Sequence, residues 1–300
     1  MRLGFFDFIK SQYTKVPPVP KADLSGKTVI VTGANIGMNP AKLILACRNR
    51  EKGDAAVNVI KQETGFQGVE LWLLDLASFA SIREEGGRLD ILVENAANAP
   101  PMGSVDFTND GWETSKDNTT PRLVVLASEV HYWAVLERRV LDAPNPLREY
   151  GHKNNLKDNT ESDAASFECL VRSALNDRLH RKPVIVSAVN PGYCYSGLRR
   201  KYGGITLLFD RLMEILLARS TEEGSRIPVW AAVGIEERKD ELRGAYINLM
   251  HVDEPSDFVI SEEGEEVRQK IWNNLIEELS QVEPKVAHIV KENLTPPVRN

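Results

Sequence analysis

Thr28-Val-Ile-Val-Thr-Gly-Ala-Asn-Ile-Gly37 decides the architecture. Five residues of strand-forming type, Thr28 to Thr32, run into a turn opened by Gly33 and closed by Gly37. An apolar run of this kind is covered on both faces, the habit of a parallel sheet sandwiched between helices. Similar runs recur along the chain: Lys42 to Cys47, Val69 to Leu74, Asp90 to Val93, Arg122 to Ala127 and Val184 to Val189. Helical segments are expected over Asp54 to Glu63, Phe167 to His180, Gly204 to Ala218, Thr221 to Val233 and Glu262 to Gln281. Strands alternating with helices predict an α/β fold, Rossmann-like and doubly wound, with a mostly parallel sheet.

Composition narrows the function classes. The 300 residues suit one domain, and a hydrophobic fraction of 42% is too high for a disordered chain. Net charge is −6 with no basic block, which argues against a nucleic-acid partner. Cys47, Cys169 and Cys194 are far apart and form no C-x-x-C, so neither a disulfide framework nor a metal site is expected. The apolar N-terminal run is broken by Asp7 and precedes Pro17, Pro18 and Pro20. It reads as an amphipathic lead-in over 1–23 that packs on a single domain over 24–300, rather than as a signal peptide. Gly204 to Ala218 is interrupted by Asp210, Arg211 and Glu214, so it reads as an amphipathic helix and not a membrane span. The expected location is cytoplasmic.

In a doubly wound sheet the ligand site forms at the carboxyl ends of the strands. The residues there are Gly33-Ala-Asn35-Ile36-Gly37, Arg48, Asp75-Leu76, Asn95-Ala96-Ala97, Ser128 and Asn190-Pro191-Gly192-Tyr193. In this order and context they resemble the short-chain dehydrogenase/reductase family, and within it the retinol-dehydrogenase-like and fungal members, from about Leu24 to about Leu279. Thr32 to Gly37 is similar to the start of the family's T-G-x-x-x-G-x-G turn. Such a turn binds a pyrophosphate because backbone N–H groups and a helix dipole face the anion. The resemblance implies that Asp75 holds the adenine side of a nicotinamide cofactor. It implies that Asn95 fixes the fourth strand beside the ribose, and that Pro191 to Ser196 lines the nicotinamide pocket. The second run ends Ala46-Cys-Arg-Asn-Arg50 with no carboxylate before Glu51, so Arg48 points to NADP(H) over NAD(H). The helix beginning at Gly204 would cover an apolar substrate.

Family chemistry moves a hydride between the nicotinamide and a carbonyl or alcohol carbon. A tyrosine transfers the proton, a lysine four residues on lowers its pKa, and a serine holds the substrate oxygen. Ser128 matches that serine. Matching the next expected serine to Ser166 puts Asp163 where the tyrosine belongs and Phe167 where the lysine belongs. Aspartate lacks the reach and phenylalanine lacks the charge. The nearest substitute is Tyr150-Gly-His-Lys153, with a spacing of three in a stretch expected to be loop. His131, beside Tyr132 and Trp133, reads either as an acid/base group near Ser128 or as part of a packed loop.

Two crossovers are also short. Nine residues separate Thr32 from Lys42, whereas a helix returning over a five-residue strand needs about eleven. Lys116 to Pro121 leaves no room for the fourth long helix. The fold is therefore expected to be incomplete, lacking its first crossover helix and its fourth long helix. The implied function is an NADP(H)-dependent oxidoreductase interconverting a carbonyl and an alcohol on a small apolar substrate, with impaired turnover. The alternative is an inactive binding or interaction protein, or a truncated product. A homodimer through the outer helices stays open.

Overall fold

A computed structural model describes residues 4–20, 22, 24–32, 40–47, 49–74, 91–94, 120–151, 161–179, 182–195 and 204–296. Among them, eight strands form one sheet: β1 (Leu24–Thr32), β2 (Pro40–Cys47), β3 (Val69–Leu73), β4 (Ile91–Glu94), β5 (Arg122–Leu126), β6 (Ile185–Asn190), β7 (Tyr246–Asn248) and β8 (His251–Asp253). Their order is β3-β2-β1-β4-β5-β6-β7-β8, and every pair is parallel except β7 with β8. The strand order reverses between β1 and β4, which creates the crevice where doubly wound folds take their ligands.

Ten helices accompany the sheet among the described residues: α1 (Phe5–Tyr13), α2 (Arg50–Thr64), α3 (Arg138–Leu141), α4 (Pro146–Gly151), α5 (Glu161–Arg178), α6 (Gly204–Leu217), α7 (Thr221–Val233), α8 (Asp257–Ile260), α9 (Glu262–Val282) and α10 (Lys285–Asn293). The first long one, α2, starts where Asn49 accepts the Lys52 N–H at 2.8 Å and stops at Gly65. Gly65 has φ +71°, a left-handed cap that a side chain would oppose. No described helix is long and apolar enough to cross a membrane.

Every residue of β6 is buried, as a strand between two helical layers requires. Alternation then divides the core. Val189 and Ile247 pack with Ile227, Ala231 and Ala232 of α7. Their neighbours Ala188 and Tyr246 pack with Leu170 of α5 and Val267 and Ile271 of α9.

The six strands read from the sequence are present in the expected parallel arrangement. The sheet goes further, through two three-residue strands too short to carry a pattern. Leu249 (φ +50°) and Met250 (φ +62°) make the tight turn between them. Helix α5 begins six residues earlier than expected, so Asp163 to Ser166 are helical. Pairing sets Pro40 opposite Leu24, so β2 starts level with β1. The seven residues joining them, 33–39, are fewer than a helical crossover needs and lie outside the described residues.

Candidate active site

Ser128 lies two residues past the end of β5 and caps a short 3-10 turn, Glu129–Trp133, by accepting the Val130 N–H at 3.3 Å. Its own carbonyl accepts the His131 Nδ1 proton at 2.7 Å, while His131 Nε2 accepts the Ser256 N–H at 3.1 Å. These two bonds fix one neutral tautomer. Burial lowers the His131 pKa to about 4; the Ser128 carbonyl opposes this and the nearby Arg172 adds to it. The ring lies 4.1 Å from Tyr132 and 4.7 Å from Tyr246, centre to centre. Of the two sequence readings, the packed imidazole is the one observed. With both nitrogens occupied, it has no proton to exchange with a substrate.

The end of β6 is tied to the same loop. Asn190 Oδ1 accepts the Glu129 N–H at 3.3 Å and the Gly192 N–H at 3.1 Å, and its Nδ2 donates to Asn248 Oδ1 at 3.1 Å. One side chain therefore sets Ser128-Glu129 against Pro191-Gly192. Gly192 has φ +79°, and a Cβ there would collide with the Arg219 guanidinium. Arg219 donates to the Pro191 carbonyl at 3.1 Å and also to the Ser11 carbonyl.

Helix α1 closes this network from outside the sheet. Gln12 Nε2 donates to Glu129 Oε1 at 2.9 Å, and Gln12 Oε1 accepts the Tyr193 N–H at 3.0 Å. Ser11 Oγ donates to Glu129 Oε2 at 3.3 Å. Burial raises the Glu129 pKa, against the pull of Asn190, Arg219, Ser11 and Gln12. Ser11, Gln12, Glu129 and Arg219 were not singled out as site residues from sequence, and Asn190 was placed in the loop after the sixth strand without a role. Glu129 could have been noticed as the neighbour of Ser128. Gln12 acts across 117 and 181 residues and Arg219 across 28 and 208, so no local pattern marks them.

Helix α5 packs beside the Ser128 loop, with Ser166 Oγ donating to the His131 carbonyl at 3.4 Å. Phe167 is buried and its ring lies 4.7 Å from that of Tyr150. Tyr150, expected in a loop, sits near the end of α4, because residues 146–151 close a helical turn that Gly151 does not prevent. Lys153 lies outside the described residues, as do Gly33, Asn35, Ile36, Gly37, Arg48, Asp75, Leu76, Asn95, Ala96 and Ser196. The tyrosines nearest the Ser128 loop do not replace a catalytic phenol. Tyr132 donates to the Glu254 carbonyl, and burial raises the pKa of both Tyr132 and Tyr246, the wrong direction for proton transfer near neutrality. The described residues contain no cluster of metal-ligating side chains. Among the described residues, the site presents the Ser128 hydroxyl on loops fixed by buried polar bonds.

Sheet order, switch point and the loops after β5 and β6 define a Rossmann-like, doubly wound nucleotide-binding fold. No family model matches the chain. It is 30% identical to a short-chain dehydrogenase of Penicillium roqueforti, over 95% of this chain and 85% of the relative. It is 29% identical to a short chain dehydrogenase/reductase of Cryptosporiopsis sp., over 93% of this chain and 98% of the relative. A Caenorhabditis elegans short-chain dehydrogenase/reductase of unknown function, solved with its cofactor, shares the fold at a TM-score of 0.51 and 17% identity, covering 75% of this chain and 93% of that one. The chain belongs to the short-chain dehydrogenase/reductase family. The match to the Cryptosporiopsis protein runs over 329 positions yet takes up only 93% of the 300 residues, so about 50 of those positions have no counterpart here.

Proposed function

We propose that this chain is an NADP(H)-directed short-chain dehydrogenase/reductase whose lineage interconverts a carbonyl and an alcohol on a small apolar substrate, and whose own turnover is impaired. The observation that carries the reading is Phe167 on α5, a buried ring packed 4.7 Å from that of Tyr150, at the position where the family's pattern, matched on Ser166, has a cation. Without that cation, and with Asp163 in place of the tyrosine, no described side chain lowers a phenol toward neutrality or delivers the proton.

The cofactor half is read as retained. Thr32, at the carboxyl end of β1, lies at the switch point and leads into Gly33-Ala-Asn35-Ile36-Gly37. Those residues, with Asp75, Leu76, Asn95 and Ala96, would hold the dinucleotide, and Arg48 would face a 2′-phosphate. Pro191 and Gly192, set by Asn190 and Arg219, would flank the nicotinamide with Ser196. A bound nicotinamide supplies or accepts the hydride. Ser128 would hold the substrate oxygen. The protein is read as cytoplasmic.

A second reading, a non-catalytic binding protein, is favoured by the positions of its relatives that the chain lacks. Turnover of carbonyl substrates with NADPH separates the two. The unaltered chain is expected to be at least ~10²-fold slower than Asp163→Tyr/Phe167→Lys, the usual worth of a positioned acid–base group. Equal and absent turnover in both, with the double variant folded, would favour the binding protein. Fast turnover by the unaltered chain would refute the impairment.

A further inference from the structure

Helix α6 is turned inside out. Its two carboxylates face the protein: Asp210 is 8% exposed and Glu214 4%. Asp210 accepts the Tyr193 hydroxyl at 2.9 Å, and Glu214 pairs with Arg211 at 2.7 Å. Solvent meets the apolar residues instead: Leu208 is 71% exposed, Phe209 63%, Leu212 53%, Ile215 73% and Leu216 53%. At about 100° per residue these five fall within an arc of roughly 120°, opposite Asp210 and Glu214. Exposed Tyr13 of α1 extends the arc, its hydroxyl donating to the Leu216 carbonyl at 2.9 Å.

We propose that α6 seats the protein on an anionic lipid surface through Leu208, Phe209, Leu212, Ile215 and Leu216. A helix lying in the membrane interface needs an unbroken apolar arc flanked by cations. The cations are Lys10 on α1 and, on the flank of α6, Arg211, whose exposed guanidinium also pairs with Glu214. Both α6 carboxylates are turned away from the surface, and the exposed Asp7 carboxylate is held by the Gly4 N–H at 3.0 Å. A second copy of the chain fits less well. The arc bares on the order of 600 Å², below the ~800 Å² per partner of a standard interface. The five α6 side chains carry no polar group, and the Tyr13 hydroxyl is already engaged by the Leu216 carbonyl, whereas protein interfaces carry about one hydrogen bond per 100–200 Å². The Tyr193–Asp210 bond links this seat to the loop after β6, so docking would set the candidate site beside the lipid.

The test is co-sedimentation of the full chain with phosphatidylcholine vesicles containing about 30% phosphatidylserine. The unaltered chain is expected to bind, and Leu208→Ser/Ile215→Ser to bind ~tenfold less with an unchanged circular dichroism spectrum. Lys10→Glu should weaken binding to these vesicles and not to phosphatidylcholine alone. Hydrogen exchange on the unaltered chain gives a readout that needs no variant: vesicles should slow the amides of 207–217. A chain left in the supernatant, a folded double variant that binds equally, unchanged exchange over 207–217, or a dimer in sedimentation that ignores vesicles and dissolves in the double variant would each overturn the proposal.

Discussion

Replacing His131 with glutamine removes a buried imidazole that the fold keeps neutral, and the consequence is a change in how stability depends on pH. The folded pKa is lowered from 6.5 to about 4, first by burial. A depressed folded pKa means that the unfolded chain takes up the proton before the folded chain does. The stabilisation from neutral His131 is therefore complete above about pH 6.5 and is lost as pH falls toward the folded value. The full shift corresponds to about 3 kcal/mol, of which about 2 kcal/mol is lost between pH 7.5 and pH 5. Glu129 acts in the opposite direction: its raised folded pKa makes the folded chain bind a proton more readily in acid. That contribution is common to both proteins and cancels in their difference. Urea unfolding at pH 7.5 and pH 5 is the assay. The unaltered chain should lose about 2 kcal/mol more than His131→Gln over this interval. Parallel losses would mean that His131 titrates near its ordinary value in the folded protein, and would refute the neutral, doubly bonded imidazole.

Two further outcomes follow from the polar bonds behind Ser128. Gln12→Ala leaves the Glu129 carboxylate and the Tyr193 N–H each short of a partner, and should cost about 1–3 kcal/mol in denaturant unfolding; a loss under about 0.5 kcal/mol would mean that water replaces the side chain. Gly192→Ala adds a Cβ at φ +79° against Arg219 and should cost about 1–3 kcal/mol, with the midpoint lowered and the slope unchanged. An unaltered midpoint would show that the loop relaxes freely.

The sheet was legible in the sequence because its strands are buried on both faces. Runs such as Val29-Ile-Val31 and Ile185-Val186 have no other use at that length. Strands β7 and β8 were not, since three residues hold no period and the turn Leu249-Met250 lacks the glycine or asparagine that announces a hairpin. Tyr150 looked like a loop residue because Gly151 and Asn154 follow it, yet α4 continues through it and its ring packs on Phe167. Ser128, Pro191 and Gly192 could be picked out because each lies within two residues of the carboxyl end of a strand. The side chains that hold their loops could not, because Gln12 and Arg219 reach the site only after folding brings α1 and the end of α6 together around Glu129. Helix α6 was correctly read as amphipathic, but periodicity gives two faces without saying which is buried, and here the carboxylates are inside.

Calorimetric titration of the purified, unaltered chain with NADPH and with NADH tests the account most directly. The account predicts binding of NADPH, weaker binding of NADH, and very slow or absent consumption of the cofactor when a carbonyl substrate is added. No heat from either nucleotide at millimolar concentration would contradict it, and would leave the sheet order and the turn after β1 as ancestry without a working cofactor site.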